Sequence, residues 1–418
     1  MAAGHRNNGN LYYVGGGIII LLVVLCFHGA ESNLEKEHQI LNEEEYEGWL
    51  KHMAKTSDAV SDETLKSVES SVQHEVYSKS ADGETQLTGF DAWLAKQQLR
   101  KTLPNAVAKK TKKDWKTIYV AQDGSGDHRT ITEALNSVPH QNSDRVIIFI
   151  KSGTYYERFV ITDGQKYVAL VGEGADKTQI SGDATAGDQD GDEFLKTYRS
   201  CTVCVNSDHF VAKDILIQNT APAPEPGAVG KQAVALRLSG DKAALFNVAI
   251  LGTQDTLYDH QGRHYFRNCF IQGSIDFIFG NGRSFYKDSH LHSIATSFGS
   301  LTAQKRNETN QDTGFSFVNN QIDGTGIIYL GRAWGNYSRV VYSWSYLNDM
   351  ILPEGWQDWG VASRDSEVFY AQYQCYGPGS DTAQRVWWSK TLTYAQAKPF
   401  LTDSFVNAHS WLEHEHDF

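Results

Sequence analysis

The sequence predicts an all-β chain wound as a parallel β-helix, a solenoid with short helical caps. Three observations carry this expectation. From Trp115 onward, short β-branched and aromatic runs alternate with glycine and asparagine turns, the texture of many short strands. The chain holds 36 glycines against eight prolines, which suits tight turns between such strands. A motif also recurs, an Asn or Asp followed three residues later by an apolar residue in a strand-like run. It appears in VAKDILI (Asp214), LFNVAIL (Asn247), FRNCFI (Asn268), YKDSHL (Asp288) and FVNNQI (Asn319), at separations of 33, 21, 20 and 31 residues. The basic period is about 20 with two inserted loops of about ten, as expected of solenoid coils. Each coil pairs with the next, and the end coils need covers. Thr393 to Phe405 has helical spacing and is expected to cover one end. A β-sandwich is the alternative all-β reading, and the regular phase speaks against it.

The 418 residues suffice for one large domain plus an appendage. Residues 1–30 contain the apolar run Leu11 to Phe27 after Arg6 and before Gly29-Ala30, which reads as a secretory signal peptide. A retained signal anchor is the alternative, because the run is close to spanning length. Both readings send the chain into the secretory pathway. Residues 31–114 are charged and free of cysteine, with loose helical periodicity over Leu34 to Lys55 and a basic run, Lys109 to Lys113, that reads as a linker. Residues 115–412 form the expected catalytic domain, and 413–418 a polar tail whose two histidines read as solvated. Net charge is −12, which disfavours nucleic acid as a partner.

Outside the leader the cysteines are Cys201, Cys204, Cys269 and Cys375. Export permits disulfides, and four cysteines allow three full pairings. Cys201-x-x-Cys204 lacks a second pair at zinc-ligand spacing, so it reads as two buried strand thiols. Asn307-Glu-Thr309 and Asn336-Tyr-Ser338 are glycosylation sequons.

The chemistry comes from phase. Asp255 lies eight residues after Asn247, and Asp276 eight after Asn268. Equivalent positions of adjacent coils stack at about 4.8 Å. Two carboxyl groups that close cannot both ionise easily, so one becomes an acid while the other stays an anionic nucleophile. A structural aspartate ladder at turns is the bland alternative. The neighbours favour chemistry: Gln254 and Gln232 can donate to an oxyanion, Arg332 offers a permanent fork for a carboxylate, and Tyr258, Trp334 and Trp356 offer faces for sugar rings. No metal ligands or organic cofactor are expected.

From about Lys116 to Trp411 the chain resembles the plant pectin methylesterase (pectinesterase) family. The resemblance rests on Gly153-Thr-Tyr-Tyr-Glu157, Gln232-Ala-Val-Ala-Leu236, Gln254-Asp-Thr-Leu257, Asp276-Phe-Ile-Phe-Gly280 and Leu330-Gly-Arg-Ala-Trp334, in family order. It implies a right-handed parallel β-helix and hydrolysis of galacturonate methyl esters. It also implies Asp276 as nucleophile, Asp255 as acid and then base, Gln254 and Gln232 as oxyanion donors, and Arg332 as the partner of Asp276 and substrate. Thr202, Tyr258, Phe279 and Trp334 fall at substrate-contact positions, while Gly280 and Asn281 shape a turn and the Gly153 segment is structural. The implied partner is methylated homogalacturonan, with a proteinaceous pectinesterase inhibitor as a second candidate, acting on a monomer in the cell wall. Family members with an amino-terminal inhibitor-like domain carry four cysteines there; residues 31–114 have none, so the chain resembles the shorter class. The rival readings are a depolymerase using the same carboxylate pair and an inactive wall-binding protein. Methanol release at constant polymer length separates the esterase from both.

Overall fold

A computed structural model describes residues 89–102, 115–225 and 227–413. Contacts divide the chain into Met1–Glu69 and Ser70–Phe418, and every described residue belongs to the second unit. The expected leader, the helical periodicity over Leu34 to Lys55, the basic run at 109–113 and the tail histidines lie outside the described residues.

The strands stack coil on coil around three faces. The first face runs from Lys116–Val120 through Val146–Ile150, Val168–Gly172, Val211–Lys213, Ala243–Phe246, Arg263–Arg267, Arg283–Lys287, Gly314–Val318 and Arg339–Ser343 to Phe369–Tyr373, every pairing parallel. The second face includes Leu216–Asn219, Ala249–Leu251 and Phe270–Gly273. The third carries Val203–Val205, Leu236–Leu238, Leu257–Asp259 and Ile275–Gly280. His290–Gln304 and Gln321–Ala333 are long enough to cross from the second face to the third, with a register irregularity between Ile294 and Phe298. Among the described strands only the short pair Gln189–Asp190 and Glu193–Phe194 is antiparallel, so the sandwich alternative does not hold.

The recurring Asn or Asp has a conformational cause. Asp214, Asn247, Asn268, Asp288 and Asn319 all have φ between 53° and 56°, the left-handed region that short polar side chains tolerate best. Each sits at the corner between the first and second faces. Their side chains add rungs, with Asn247 Nδ2 donating to Asp214 Oδ1 at 3.3 Å and Asn319 Nδ2 to Asp288 Oδ1 at 2.7 Å. The apolar residue three positions later points inward: Ile217, Ile250, Ile271, Leu291 and Ile322 are in register and fully buried. Along the first face Phe266, Tyr286, Phe317 and Tyr342 stack inside the coil with ring centroids 4.3–4.6 Å apart, close to the strand spacing itself. A polar cluster is buried in this interior. Asp259 accepts from the Tyr286 hydroxyl at 2.6 Å and contacts His264 Nδ1 at 2.5 Å, and His264 Nε2 lies 2.9 Å from the Gly240 carbonyl.

The helix Ile131–Asn136 places Ile131, Ala134 and Leu135 in the core beside the first strands. Its N-terminus is held by Glu157, whose carboxylate accepts from the Ile131 and Thr132 backbone N–H at 2.8 and 2.9 Å. Negative charge there meets the positive end of the helix dipole, which gives the Gly153-to-Glu157 segment its structural role. A second helix, Gly89–Thr102, lies on the outside of the second face, with Phe90 and Trp93 against Phe270 and Trp93 Nε1 donating to the Asn268 carbonyl at 3.2 Å. The periodicity of residues 31–114 did not single it out.

The carboxyl-terminal segment corrects one expectation. It does not cover an end of the solenoid. After Lys390–Thr391 pairs with the last first-face strand, only Tyr394–Ala397 is α-helical, and short 3-10 turns follow. Phe400, Leu401, Phe405 and Val406 then pack along the outside of the first face over Phe246, Tyr265, Phe285 and Val341. The segment ends with Glu413 paired to the buried Arg145 at 2.8 Å, next to the first coils.

Candidate active site

On the third face Asp255 and Asp276 occupy equivalent positions of adjacent coils. Gln254 bridges Ile275 in parallel register, and the Asp255 N–H donates to the Ile275 carbonyl at 3.1 Å. Both aspartates are left-handed, with φ of 54° and 47°. Asp and Asn adopt this region at least cost among residues with a side chain, and it turns both carboxyl groups out of the regular strand alternation.

Asp276 is held from two sides. Arg332 Nε donates to Oδ1 at 3.0 Å and its Nη2 to Oδ2, a bidentate fork. Ser300, fully buried on the next coil, donates its hydroxyl to Oδ1 and accepts the Asp276 backbone N–H at 3.1 Å. Register slips between Ile275 and Ile278 at this point, so a side-chain hydroxyl replaces the ladder carbonyl. Sequence reasoning missed Ser300, because a lone serine in a strand-like run carries no signal. Arg332 is braced in turn by Trp359, with the guanidinium carbon 4.2 Å from the ring centroid. Burial pushes the Asp255 carboxyl well above the usual carboxylate range, the negative charge of Asp276 pushes the same way, and Arg332 opposes both without reversing them.

The outward positions of this face form a register row: Cys204, Arg237, Tyr258, Phe279, Ala303, Arg332 and Gln357. Tyr258 stacks on Phe279 at 4.2 Å, and Trp334 lies 6.1 Å from Phe279 with Lys305 Nζ 3.9 Å over its ring. Tyr258 and Trp334 are half-buried, whereas Phe279 is 3% exposed and largely covered. Gln232 and Gln254 are half-buried too, and neither carboxamide has a hydrogen-bond partner among the described residues, so their donors are free for a ligand.

Two expected contact residues are corrected. Thr202 is fully buried, its hydroxyl donating to the Gln218 carbonyl at 2.9 Å, so its side chain does not face the groove. Trp356 is also buried. It is the register partner of Gly331 and stacks on Tyr370 at 4.5 Å, while Trp359, beside Arg332, is 37% exposed. Strand alternation contained this answer: Arg332 and Gln357 face outward, so Gly331 and Trp356 face inward. The cysteines also differ from expectation. Cys201 and Cys204 form a disulfide rather than two thiols, and Cys269 and Cys375 remain thiols. The bridge lies under the groove aromatics with Val234, Phe279 and Ala303. Gly280 and Asn281 shape a turn as expected: a Cβ on Gly280 would meet the Asp259 carbonyl at 2.0 Å, and Asn281 Oδ1 accepts from Thr313 at 2.6 Å.

The family model Pectinesterase matches residues 117–409. The chain belongs to the pectinesterase family. It is 47% identical over 301 residues to Pectinesterase QRT1 of Arabidopsis thaliana, covering 71% of this chain and 79% of that protein. It is 41% identical over 307 residues to Probable pectinesterase 8 of the same plant, covering 71% and 77%. Among solved structures, pectin methylesterase from carrot superposes with a TM-score of 0.67 at 35% identity, covering 72% of this chain and 97% of that one. Pectin methylesterase PemA from Erwinia chrysanthemi gives 0.59 at 26% identity, covering 70% and 96%. The chain is thus a pectinesterase, a carboxylic ester hydrolase on a parallel β-helix.

Proposed function

We propose that this pectinesterase hydrolyses galacturonate methyl esters of pectin by covalent catalysis, with Asp276 as nucleophile and Asp255 as acid and then base. The observation that carries the reading is the asymmetry of the pair. Asp276 is an ion-paired carboxylate fixed by Arg332 and Ser300, and Asp255 beside it is pushed toward its neutral acid form.

Asp276 Oδ2, which Arg332 Nη2 orients and Ser300 does not contact, attacks the ester carbonyl carbon. Gln232 and Gln254 donate to the oxyanion that develops on the carbonyl oxygen. The bond to the methoxy oxygen breaks, and Asp255 gives its proton to that oxygen, releasing methanol. The product on the enzyme is an anhydride between Asp276 and the galacturonate carboxyl. Asp255, now a carboxylate, takes a proton from water as the water oxygen attacks the anhydride. The bond to Asp276 breaks, the de-esterified unit leaves as part of its polymer chain with its carboxyl proton lost to solvent, and both aspartates return to their starting states. Tyr258, Trp334 and Trp359 supply sugar-facing surface on the groove. A related pectin methylesterase has been solved in complex with a hexasaccharide, which supports a polysaccharide chain as the ligand of this groove.

The reading includes an extracellular site of action on cell-wall pectin as a monomer, entered through the secretory pathway. The apolar leader and the exposed sequon asparagines Asn307 and Asn336 support it. A proteinaceous inhibitor is the second partner in this reading. Incubation with methylated pectin tests the chemistry. Asp276→Ala abolishes methanol release while the circular dichroism spectrum stays that of the wild type. Near-wild-type methanol release by that variant, or new reducing ends made by the wild type, sinks the assignment.

A further inference from the structure

Away from the groove, the second face carries a side-chain cluster that the ester chemistry does not use. His290 and His292 flank the inward Leu291 on one strand, so both imidazoles project from the same outer surface. Asp323 is the register partner of His292 on the next coil. His290 Nε2 and His292 Nδ1 each lie 2.7 Å from the same carboxylate oxygen, Asp323 Oδ1. The three donor atoms all fall within 4.8 Å of one another, and a tetrahedral zinc site needs its donors about 3.3 Å apart.

The surroundings orient the donors. Gln321 Nε2 donates to Asp323 Oδ2 at 2.7 Å, the kind of outer hydrogen bond that aims a ligating carboxylate and leaves its other oxygen for an ion. Phe270 meets His290 edge-on at 5.0 Å and lies over His292 at 5.8 Å. Phe90 and Trp93 of the outer helix back Phe270. Gly89 closes over His292, and a Cβ there would come within 2.9 Å of Nε2. Both rings are therefore held in place by packing. The His292 and Asp323 side chains keep 16% and 17% exposure, so an ion can reach them from solvent. Two imidazoles and a carboxylate are a donor set for a first-row divalent ion of the zinc type, not for calcium or magnesium.

We propose that His290, His292 and Asp323 form a binding site for one zinc-type divalent ion, with water completing the coordination. The ion bridges two coils beside the seam with the outer helix and takes no part in ester hydrolysis. Full-length protein stripped with EDTA and titrated with zinc chloride should bind one ion per chain in calorimetry. The thermal midpoint should rise by several degrees (roughly, at saturating zinc). His292→Gln should weaken binding at least about tenfold and remove the midpoint shift. Cobalt(II) added to the wild type should develop the intense visible bands of a four- or five-coordinate site, a readout that does not depend on the variant folding. Methanol release should be the same before and after EDTA. No binding heat, a cobalt spectrum like that of the aqueous ion, or unchanged affinity in folded His292→Gln would each overturn the proposal.

Discussion

Replacing Arg332 by lysine keeps the positive charge beside Asp276 and removes the fork. In the wild type two charge-assisted bonds reach the two carboxylate oxygens, and the guanidinium lies on Trp359. A lysine ammonium reaches one oxygen at a time and does not stack as a planar cation. The lost bond costs about 1.5–3 kcal/mol, and the lost contact with the half-exposed tryptophan about 0.5–1 kcal/mol. Together these are about 2–4 kcal/mol, or roughly 30- to 900-fold in kcat/KM. Glutamine at the same position also deletes the charge. Because Arg332 opposes the upward push on Asp255, Arg332→Gln should move the basic limb of the pH–rate profile to higher pH, while Arg332→Lys leaves that limb in place. Methanol release on methylated pectin across pH measures both effects. Arg332→Lys within about threefold of wild type, or a basic limb moved to lower pH in Arg332→Gln, would refute the coupling drawn here between Arg332, Asp276 and Asp255.

Other perturbations have equally definite outcomes. Asp255→Asn should lower turnover about 10²- to 10⁴-fold, the usual worth of a positioned acid. The same variant should gain stability relative to wild type as pH rises. The Asp255 carboxyl is raised in the fold, so above its unfolded value the unfolded chain holds fewer protons and the wild type loses stability until the folded value is passed; urea denaturation at several pH values reads this difference. Tyr286→Phe leaves Asp259 Oδ2 without its 2.6 Å donor inside the coil and should cost about 1–3 kcal/mol in urea denaturation. Reducing the Cys201–Cys204 bridge releases a loop of sequence separation 3. Loop-closure entropy puts the loss at only about 2 kcal/mol; because the bridge is buried, the Cys201→Ala/Cys204→Ala variant tests this, and its thermal midpoint should fall without unfolding the protein at room temperature.

Much of the fold was legible because backbone conformation left a mark on residue type. The left-handed corner after five consecutive first-face strands, from Val211–Lys213 to Gly314–Val318, is always Asn or Asp, and the inward position three residues later is Ile or Leu. The series continues where the pattern could not be read. Trp344 and Gln374 occupy the same corner of the last coils with φ of 50°, and neither residue type signals a left-handed turn. The aspartate pair was legible for the same reason, since phase within the coil fixes neighbours in space. What escaped depends on three-dimensional geometry that residue types alone do not carry. Ser300 matters only because register slips at Asp276, and the disulfide depends on a local geometry that four cysteines do not specify. The exchange of Trp356 for Trp359 was readable from strand alternation at Arg332 and went unused. Thr202 fell short because a position within the motif does not say which way its side chain turns.

The run from Lys390 to Glu413 gives the molecule a mechanical property that stacked coils alone lack. A solenoid held by nearest-neighbour contacts can peel open from either extremity. Here the tail leaves the final rung, travels back across the flank and clasps Arg145 at the opposite extremity. Peeling either extremity pulls on the clasp and so on the other, a coupling that favours one cooperative transition and gives residues 390–413 a weight in stability beyond their small share of the interior.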